Sequence, residues 1–326
     1  MFEVARDYPS PLDEAARRRH GLRNVLHTAA LIGAGVVLLA LTAWSIFGVD
    51  GILWAALAGG IGLFLSSRIT PDIVLRLFRA RPLPRHVFPD GWRVLEALAK
   101  RAGLPRTPRF FYVPSSNMNA FAVGRPGNAA VAVTDGLIRG LTLRQFAAVI
   151  AHEISHVSSG DVKVMALADM ITRLTNAMAT LGLIMLVLYF PAMTGEGHVP
   201  WLGIILMIFA PTLAGLLQLA LSRAREYDAD LDAVGLTGDP EGLALALLAL
   251  EKKQGALWEG LTLPGGRIPD PSLLRSHPKT EERVRRLRAL HPPKSLVPLS
   301  TSVPVIPPGY GPVTRRPRYR MSGVWY

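Results

Sequence analysis

"NVLHTAALIGAGVVLLALTAWSIFG", residues 24 to 48, is an apolar run long enough for a helix to cross a lipid bilayer. About 20 predominantly apolar residues span the hydrocarbon core, and this run exceeds that length. It is also longer than the apolar part of a secretory signal peptide, and no convincing cleavage site follows it. The run therefore predicts a retained anchor and an integral membrane protein.

Three more apolar runs follow. The first of these is short and rich in glycine, and a re-entrant or interfacial helix is its alternative to a span. The last run contains Pro211, where we expect a kink. The three runs lie at Ile52 to Ser67, Asn176 to Phe190 and Trp201 to Leu221. Together the four runs predict an α-helical membrane protein with four transmembrane helices in two hairpins.

The distribution of basic residues predicts the orientation. The formal net charge is +12, but the arginines flank the apolar runs and accompany no nucleic-acid recognition motif, so we expect no nucleic-acid partner. The connectors at residues 49–51 and 191–200 contain no Lys or Arg, whereas the other flanks are basic. By the positive-inside rule, both termini and the segments between the hairpins face the cytoplasm. We expect a multi-pass protein of the bacterial inner membrane.

The segment between the two hairpins predicts a soluble α+β domain. We expect a helix from about Gly91 to Ala102, then three strands, then a helix that begins after the N-cap Thr142 and reaches Ser158. The strands are predicted at Arg109 to Val113, Asn119 to Val123 and Ala129 to Thr134, and a turn at "GRPGN" (Gly124 to Asn128) joins the last two.

These features divide the chain into six predicted parts. The catalytic domain is split in two by the second hairpin, and a tail rich in Pro and Arg follows it. The parts are residues 1–23 (cytoplasmic), 24–68 (first hairpin), 69–173 (catalytic), 174–221 (second hairpin), 222–291 (catalytic) and 292–326 (tail).

The stretch "HEISH", residues 152 to 156, carries the chemistry. Residues four apart share one face of a helix, so His152 and His156 can both bind one metal ion. Glu153 follows the first histidine, where its carboxylate can accept a proton from a water that zinc activates. The alternative is a pair of histidines with ordinary hydrogen bonds and no metal.

A catalytic zinc site needs a third protein ligand. The chain has no cysteine, so the ligand must be His, Asp or Glu. In "SRAREYDAD" (Ser222 to Asp230), Glu226 and Asp230 share a helical face, which suits Glu226 as ligand and Asp230 as acceptor for the free N–H of a ligand histidine. The alternative is a solvated charged face that pairs with Arg223 or Arg225.

The motifs together resemble the HtpX-like family of membrane-bound zinc metallopeptidases. The resemblance covers roughly residues 24 to 291 and rests on "HEISH", "SRAREYDAD", "NAFAV" and "SHPKTEER" in that order. It implies a zincin-like cytoplasmic catalytic domain, one Zn²⁺ per chain held by His152, His156 and Glu226, and Glu153 as catalytic base. It also implies quality control of misfolded or damaged membrane proteins as the function.

Further site roles are expected from physical need. The tetrahedral intermediate of peptide hydrolysis carries an oxyanion, which requires a hydrogen-bond donor besides the metal. His277 or Arg223 could supply this donor, although His277 could instead cap the following helix. An extended substrate could pair with the edge of one predicted strand. The alternative is that this strand is an ordinary edge strand without a role in substrate binding. The residues of this predicted substrate strand are Asn119, Ala120, Phe121 and Ala122.

The expected activity is that of a zinc-dependent endopeptidase whose partners are polypeptide substrates and the lipid bilayer. Two alternatives stay open at this point. One is a CAAX prenyl endopeptidase, which uses a similar motif set but has more spans. The other is a non-catalytic membrane scaffold with a structural zinc, in which Glu153 would have no use.

Overall fold

The computed structural model describes residues 14–67, 70–193, 201–259 and 280–290. The predicted tail at 292–326 and His277 lie outside these residues. The chain divides into two compact units. We call Thr70–Val162 with Arg225–Tyr326 the sheet unit, and Arg19–Ile69 with Lys163–Ala224 the helical unit.

The described residues form nine helices and four strands. In chain order they are α1 (Glu14–Ser67), α2 (Pro71–Leu77), β1 (Arg81–Pro82), α3 (Pro89–Arg101), β2 (Arg109–Val113), β3 (Ala120–Arg125), β4 (Asn128–Thr134), α4 (Asp135–Gly140), α5 (Leu143–Ser159), α6 (Asp161–Met193), α7 (Trp201–Thr237), α8 (Pro240–Glu259) and α9 (Thr280–Arg288).

The helical unit contains most of the residues of the candidate membrane spans. Among the described residues, three helices are long and apolar enough to cross a membrane, and they cover Val25–Leu65, Asp161–Leu188 and Trp201–Thr237. Large apolar side chains such as Trp44, Leu188 and Phe209 point outward from them, as lipid-facing side chains do.

α1 is broken at Gly48, whose φ of 62° and ψ of −145° are not helical. In an unbroken helix, residues eight positions apart are about 12 Å apart along the axis. A methyl group on Gly51 would nevertheless overlap the carbonyl oxygen of Ala43, so the chain folds back between them. Both halves of α1 contact α6, through Gly35 beside Ile171 and Gly59 beside Leu174.

The sheet unit is built on a mixed sheet with strand order β1-β2-β4-β3. β2 and β4 are parallel, and β3 pairs with β4 antiparallel. Arg125 pairs with Asn128, so the turn between β3 and β4 consists of Pro126 and Gly127. The φ of +90° at Gly127 is one that side-chain-bearing residues rarely adopt, which explains the glycine. In the strand order given above, β3 is an edge strand of the sheet.

Alternate residues of the strands bury on opposite faces of the sheet. One face carries Phe110, Val131 and Val133 into the main core, which α3, α5, α8 and α9 complete. The other face carries Val113, Ala130 and Ala132 into a smaller cluster with Leu75 of α2. The sheet thus separates a helical core from a face that only α2 covers among the described elements.

α5 is fixed at both ends by local hydrogen bonds. The Thr142 hydroxyl accepts from the Gln145 N–H while the Gln145 side chain accepts from the Thr142 N–H, which is a capping box. At its other end Gly160 is left-handed, with a φ of 73°. Phe146, Ile150 and Ile154 are fully buried along one side of the helix, so the positions on its opposite side can carry polar side chains.

Most predicted elements of the soluble segment are present. The strand at Arg109–Val113 and the helix capped by Thr142 have the expected bounds within one residue. The second strand begins at Ala120 rather than Asn119, whose backbone N–H donates to the Thr134 hydroxyl instead. The sequence did not predict α2, α4 or β1. These elements have seven, six and two residues and are too short to show a periodic pattern of apolar residues.

Candidate metal centre

The two histidines of α5 point at one another across a single helical turn. Their rings lie 4.8 Å apart between centroids and are nearly perpendicular. The two Nε2 atoms are 3.2 Å apart. Both side chains are buried or half-buried, so the two imidazoles converge on one small, sheltered volume.

Glu226 of α7 faces the same volume. Its carboxylate oxygens are 3.5 Å from His152 Nε2 and 3.8 Å from His156 Nε2. Side chains separated by some seventy residues of sequence thus offer three ligand atoms that all lie within 4.8 Å of one another. This is the group that the sequence predicted as the metal ligands.

Each imidazole has a carboxylate behind it. His156 Nδ1 is 2.8 Å from Asp161 Oδ2, and His152 Nδ1 is 3.1 Å from Asp230 Oδ1. Because a carboxylate can only accept, both rings carry a proton on Nδ1. In the neutral rings, the lone pairs of both Nε2 atoms therefore face each other and Glu226.

Each of these carboxylates is held by an arginine. Asp161 accepts from Arg225 Nε at 2.5 Å, and Asp230 accepts from two nitrogens of Arg283 at 2.6 and 2.7 Å. All four side chains are largely shielded from solvent. Two parallel His-Asp-Arg arrangements therefore fix the orientation of the two imidazoles, one from α5, α6 and α7 and the other from α5, α7 and α9.

The electrostatics of this cluster favour a cation. Burial lowers the pKa of His152, but hydrogen bonds to Asp230 and Glu226 outweigh burial and raise that pKa to about 9. Burial would raise the pKa of the Asp230 carboxyl, yet hydrogen bonds from His152 and Arg283 lower it. The site thus attracts positive charge at the ring nitrogens, which a proton or a metal ion can supply.

The donor set fits zinc in particular. Two imidazole nitrogens and one carboxylate are common zinc ligands, and three protein ligands leave a position for water. The carboxylates at both Nδ1 atoms are the partners that ligand histidines usually have. The described residues contain one group of this kind.

Glu153 lies next to the three candidate ligand side chains but is not one of them. Its Oε2 accepts a hydrogen bond from the backbone N–H of Ala122 at 3.0 Å. Burial raises the pKa of the Glu153 carboxyl, and Ala122 and the nearby histidines only partly offset this effect. A buried carboxylate that gains a proton readily is suited to act as a base and then as an acid.

The other residues predicted for the site are placed as follows. Ala120 and Ala122 lie on β3, and Ala122 contacts Glu153 through its backbone. Phe121 points to the opposite face of the sheet, where its ring is 4.7 Å from that of Phe78. Arg223 belongs to the helical unit.

Sequence reasoning overlooked three side chains. Asp161 was assigned no role from the sequence, and Arg225 only that of an alternative partner on the charged face of Glu226 and Asp230. Arg283 was read only as part of "SHPKTEER". The signal that could have found Asp161 is its position one residue after the C-cap glycine of α5, within reach of the last ligand histidine.

The comparisons with known proteins agree with this geometry. The model of peptidase family M48 matches residues 88–291. Protease HtpX of Legionella pneumophila (strain Philadelphia 1) is 34% identical over 281 residues, which cover 82% of this chain and 99% of that protein. A protease HtpX homolog of Aquifex aeolicus is 36% identical over 259 residues, which cover 74% and 84%.

The chain belongs to the HtpX-like members of peptidase family M48. It is therefore a hydrolase of the metalloprotease class with membrane-spanning character, and membership implies a metal ion. A crystal structure of Ste24p from S. mikatae is 21% identical, with a TM-score of 0.49, and covers 82% of this chain. The chain spans 65% of the length of that structure.

The contact of the Asp161 carboxylate with His156 predicts that Asp161 affects zinc affinity. Asp161→Asn should lower zinc affinity by about 10–100-fold, because the amide is a weaker acceptor and can turn its NH₂ group toward Nδ1. Competition with a zinc-binding dye measures the affinity. Asp169→Asn is the matched control, since this aspartate lies on the same helix and pairs with Arg173. Equal affinities in the two variants would contradict the role of Asp161.

Zinc binding should also release a proton. In the metal-free protein His152 is protonated at neutral pH, because its folded-state pKa is about 9 instead of 6.5. That protonation stabilises the metal-free fold fully below pH 6.5, and the contribution is lost as the pH rises through about 9. Since a ligand imidazole must be deprotonated, apparent zinc affinity should fall by about tenfold for each pH unit below that value.

Isothermal titration of zinc at pH 8 in two buffers with different ionisation enthalpies measures this proton. The difference in apparent binding enthalpy should correspond to about one proton per zinc. Identical enthalpies in the two buffers would show that no proton leaves, and would reject the raised pKa of His152.

Proposed function

We propose that the protein is a zinc-dependent endopeptidase that hydrolyses peptide bonds of misfolded or damaged membrane proteins. The observation that carries the proposal is the meeting of His152, His156 and Glu226 beside the half-buried carboxylate of Glu153. A structural zinc site would have no need for Glu153, which is not among the three ligand side chains.

One zinc ion per chain is proposed, held by Nε2 of both histidines and by the Glu226 carboxylate. When bound, zinc polarises the scissile carbonyl and lowers the pKa of a coordinated water toward about 7. Asp161 and Asp230 hold the two imidazoles with Nε2 toward the ion, while Arg225 and Arg283 hold the two aspartates.

Glu153 is proposed as the general base. Its carboxylate takes the proton of the attacking water and later passes it to the leaving amine of the cleaved bond. Burial raises the pKa of its carboxyl above the usual range, which favours its protonation in the second step. The Ala122 N–H holds one oxygen, Oε2, and so fixes the direction in which the other oxygen can point.

β3 is proposed to bind the substrate backbone. The N–H of Ala122 points away from β4, because it donates to Glu153. Backbone groups of alternate residues in an antiparallel strand point to the same side, so Ala120 shares this direction. An extended substrate that adds to this edge would pass directly over Glu153. Asn119, Phe121 and Ala122 complete the proposed strand, with Asn119 at its start.

Four spans in two hairpins, with the catalytic parts in the cytoplasm, are the proposed topology. The break at Gly48 and the return of the chain beside Ala43 support two spans within α1. The absence of Lys and Arg from residues 49–51 and 191–200 supports their location on the non-cytoplasmic side of a bacterial inner membrane.

Quantitative proteomics of membranes tests this function. Cells that carry active protein are compared with cells that carry Glu153→Gln at equal amounts. Full-length membrane proteins should accumulate with the variant, and their fragments should disappear. A scaffold would give the same proteome in both strains, and that result would refute the peptidase proposal.

A further inference from the structure

α2 presents an exposed apolar face that no part of the proposed mechanism uses. Ile73 and Leu77 are 57% and 56% exposed, more than any other large aliphatic side chain in the described part of the sheet unit. They are four residues apart and therefore lie side by side on the helix. On the opposite side of α2, Pro71 and Leu75 are buried.

The surroundings of this face are positively charged. Arg76 lies on the exposed side of α2, and Arg79 follows as an exposed residue just after the helix. The acidic Asp72 of α2 is paired with Arg109 at 2.7 Å. An apolar strip bordered by arginines suits a surface that is apolar below and negatively charged above.

In the sequence, this helix follows closely after a candidate membrane span. Only residues 68 to 70 separate Ser67, the last residue of α1, from Pro71, the first of α2. Three linking residues reach about 14 Å at most between the two Cα atoms. The headgroup region is about 5–7 Å deep on each side of the hydrocarbon core, so α2 can begin within it or just beyond it. A protein partner would have to compete with lipid at this position.

We propose that α2 is an interfacial anchor whose Ile73 and Leu77 insert into an anionic bilayer surface while Arg76 and Arg79 contact lipid headgroups. The anchor has a consequence for substrates because α2 packs against the catalytic sheet. Phe78, directly after α2, contacts Phe121 of β3, and Leu75 packs on Ala130 and Ala132 of β4.

The edge of β3 that touches Glu153 is thereby held at a short distance from lipid. This part of the inference rests on the proposed function. The substrates it selects are polypeptide segments that leave the bilayer close to its surface, in preference to segments far out in the cytoplasm. α2 would thus set the distance between the bilayer surface and the site of cleavage.

The anchor can be tested without any activity, because the chain has no cysteine and single cysteines can be labelled cleanly. Nitroxide labels on Ile73→Cys and Leu77→Cys are compared with a label on Lys100→Cys, an exposed position of α3 in the same unit. The full chain is placed in nanodiscs of phosphatidylglycerol or of phosphatidylcholine. Relaxation by oxygen and by a water-soluble nickel chelate reports the depth of each label.

The expected result is that labels at 73 and 77 are protected from the nickel chelate and accessible to oxygen in phosphatidylglycerol, while the label at 100 shows the reverse. Protection should decrease several-fold in phosphatidylcholine. Equal nickel access at all three positions would overturn the anchor. Spin–spin broadening at 73 or 77 would also overturn it, because a second copy would then cover the face.

The substrate preference needs a second measurement with two membrane reporters. One carries a cleavable segment directly after its span, and the other carries the same segment after a long flexible linker. Ile73→Asp with Leu77→Asp should reduce cleavage of the first several-fold and leave the second unchanged. An equal effect on both reporters would overturn the proposed preference for segments close to the bilayer surface. If the unmodified protein cleaves neither reporter, the proposed function fails, while the labelling result stands by itself.

Discussion

Glu153→Gln is expected to lower peptidase turnover by about 10²–10⁴-fold, which is the range that a positioned general acid–base contributes. Glutamine has nearly the same shape, and its side-chain oxygen can still accept from the Ala122 N–H. It cannot take a proton from water at neutral pH. The ligand side chains His152, His156 and Glu226 are unchanged, so zinc content should stay at about one ion per chain.

The variant should be at least as stable as the unmodified protein. Burial raises the pKa of Glu153, so its ionised form is disfavoured in the folded state and a neutral side chain relieves that cost. Thermal unfolding of the metal-free proteins measures this difference. Glu281→Gln, an exposed substitution on α9, is the matched control and should keep full activity.

Turnover within about twofold of the unmodified protein, with one zinc bound, would remove Glu153 from the mechanism, since a positioned base contributes at least about 10²-fold. Loss of zinc together with activity would instead assign Glu153 a role in building the site. Measurements of turnover and metal content on the same preparation separate these outcomes.

The parts of the fold that sequence alone predicted are those with local causes. The N-cap at Thr142, the turn within Gly124 to Asn128 and the strand Arg109–Val113 each depend on residues within one turn or one strand. The pair His152 and His156 follows from the helical repeat. For the same reason, the longer helices and strands between residues 89 and 159 could be predicted, whereas the six-residue α4 was missed.

What could not be predicted are contacts between distant segments. Arg283 meets Asp230 across some fifty residues, and nothing in the local pattern of α9 distinguishes it from Arg285 or Arg286. Arg285 and Arg286 instead pair with Glu282 on the surface. Only the packing of α9 against α8 decides which arginine becomes buried.

Glu226 was predicted with an open alternative, a charged surface that pairs with Arg223 or Arg225. The described structure gives Arg225 a different partner, Asp161, and buries Glu226 beside the two histidines. The decision between ligand and surface charge depends on where α7 lies relative to α5 within the sheet unit. That placement comes from the core of the unit, which the local sequence of α7 does not specify.

Glu226→Ala is expected to lower zinc affinity by more than the roughly 10–100-fold that loss of an outer hydrogen-bonding partner costs, because it removes one of three ligands. Activity at limiting zinc should fall to the background of Glu153→Gln. Competition against a chelator of known affinity measures the change. Glu251→Ala on α8, a half-buried glutamate outside the cluster, controls for the loss of a carboxylate.

A second variant separates loss of a ligand from loss of the fold. Glu226 also forms an ion pair with Arg283, whose Nη1 lies 3.2 Å from Glu226 Oε2, so alanine leaves this buried guanidinium with Asp230 as its remaining partner in the cluster. Glu226→Gln keeps an oxygen for Arg283 but supplies a weaker, uncharged ligand to the metal. If Glu226 is the third ligand, both variants lose affinity while Glu226→Gln keeps the unfolding temperature of the metal-free protein. Unchanged zinc content in Glu226→Gln and Glu226→Ala alike would show that the ion is held without this carboxylate, and the proposed metal centre would be wrong.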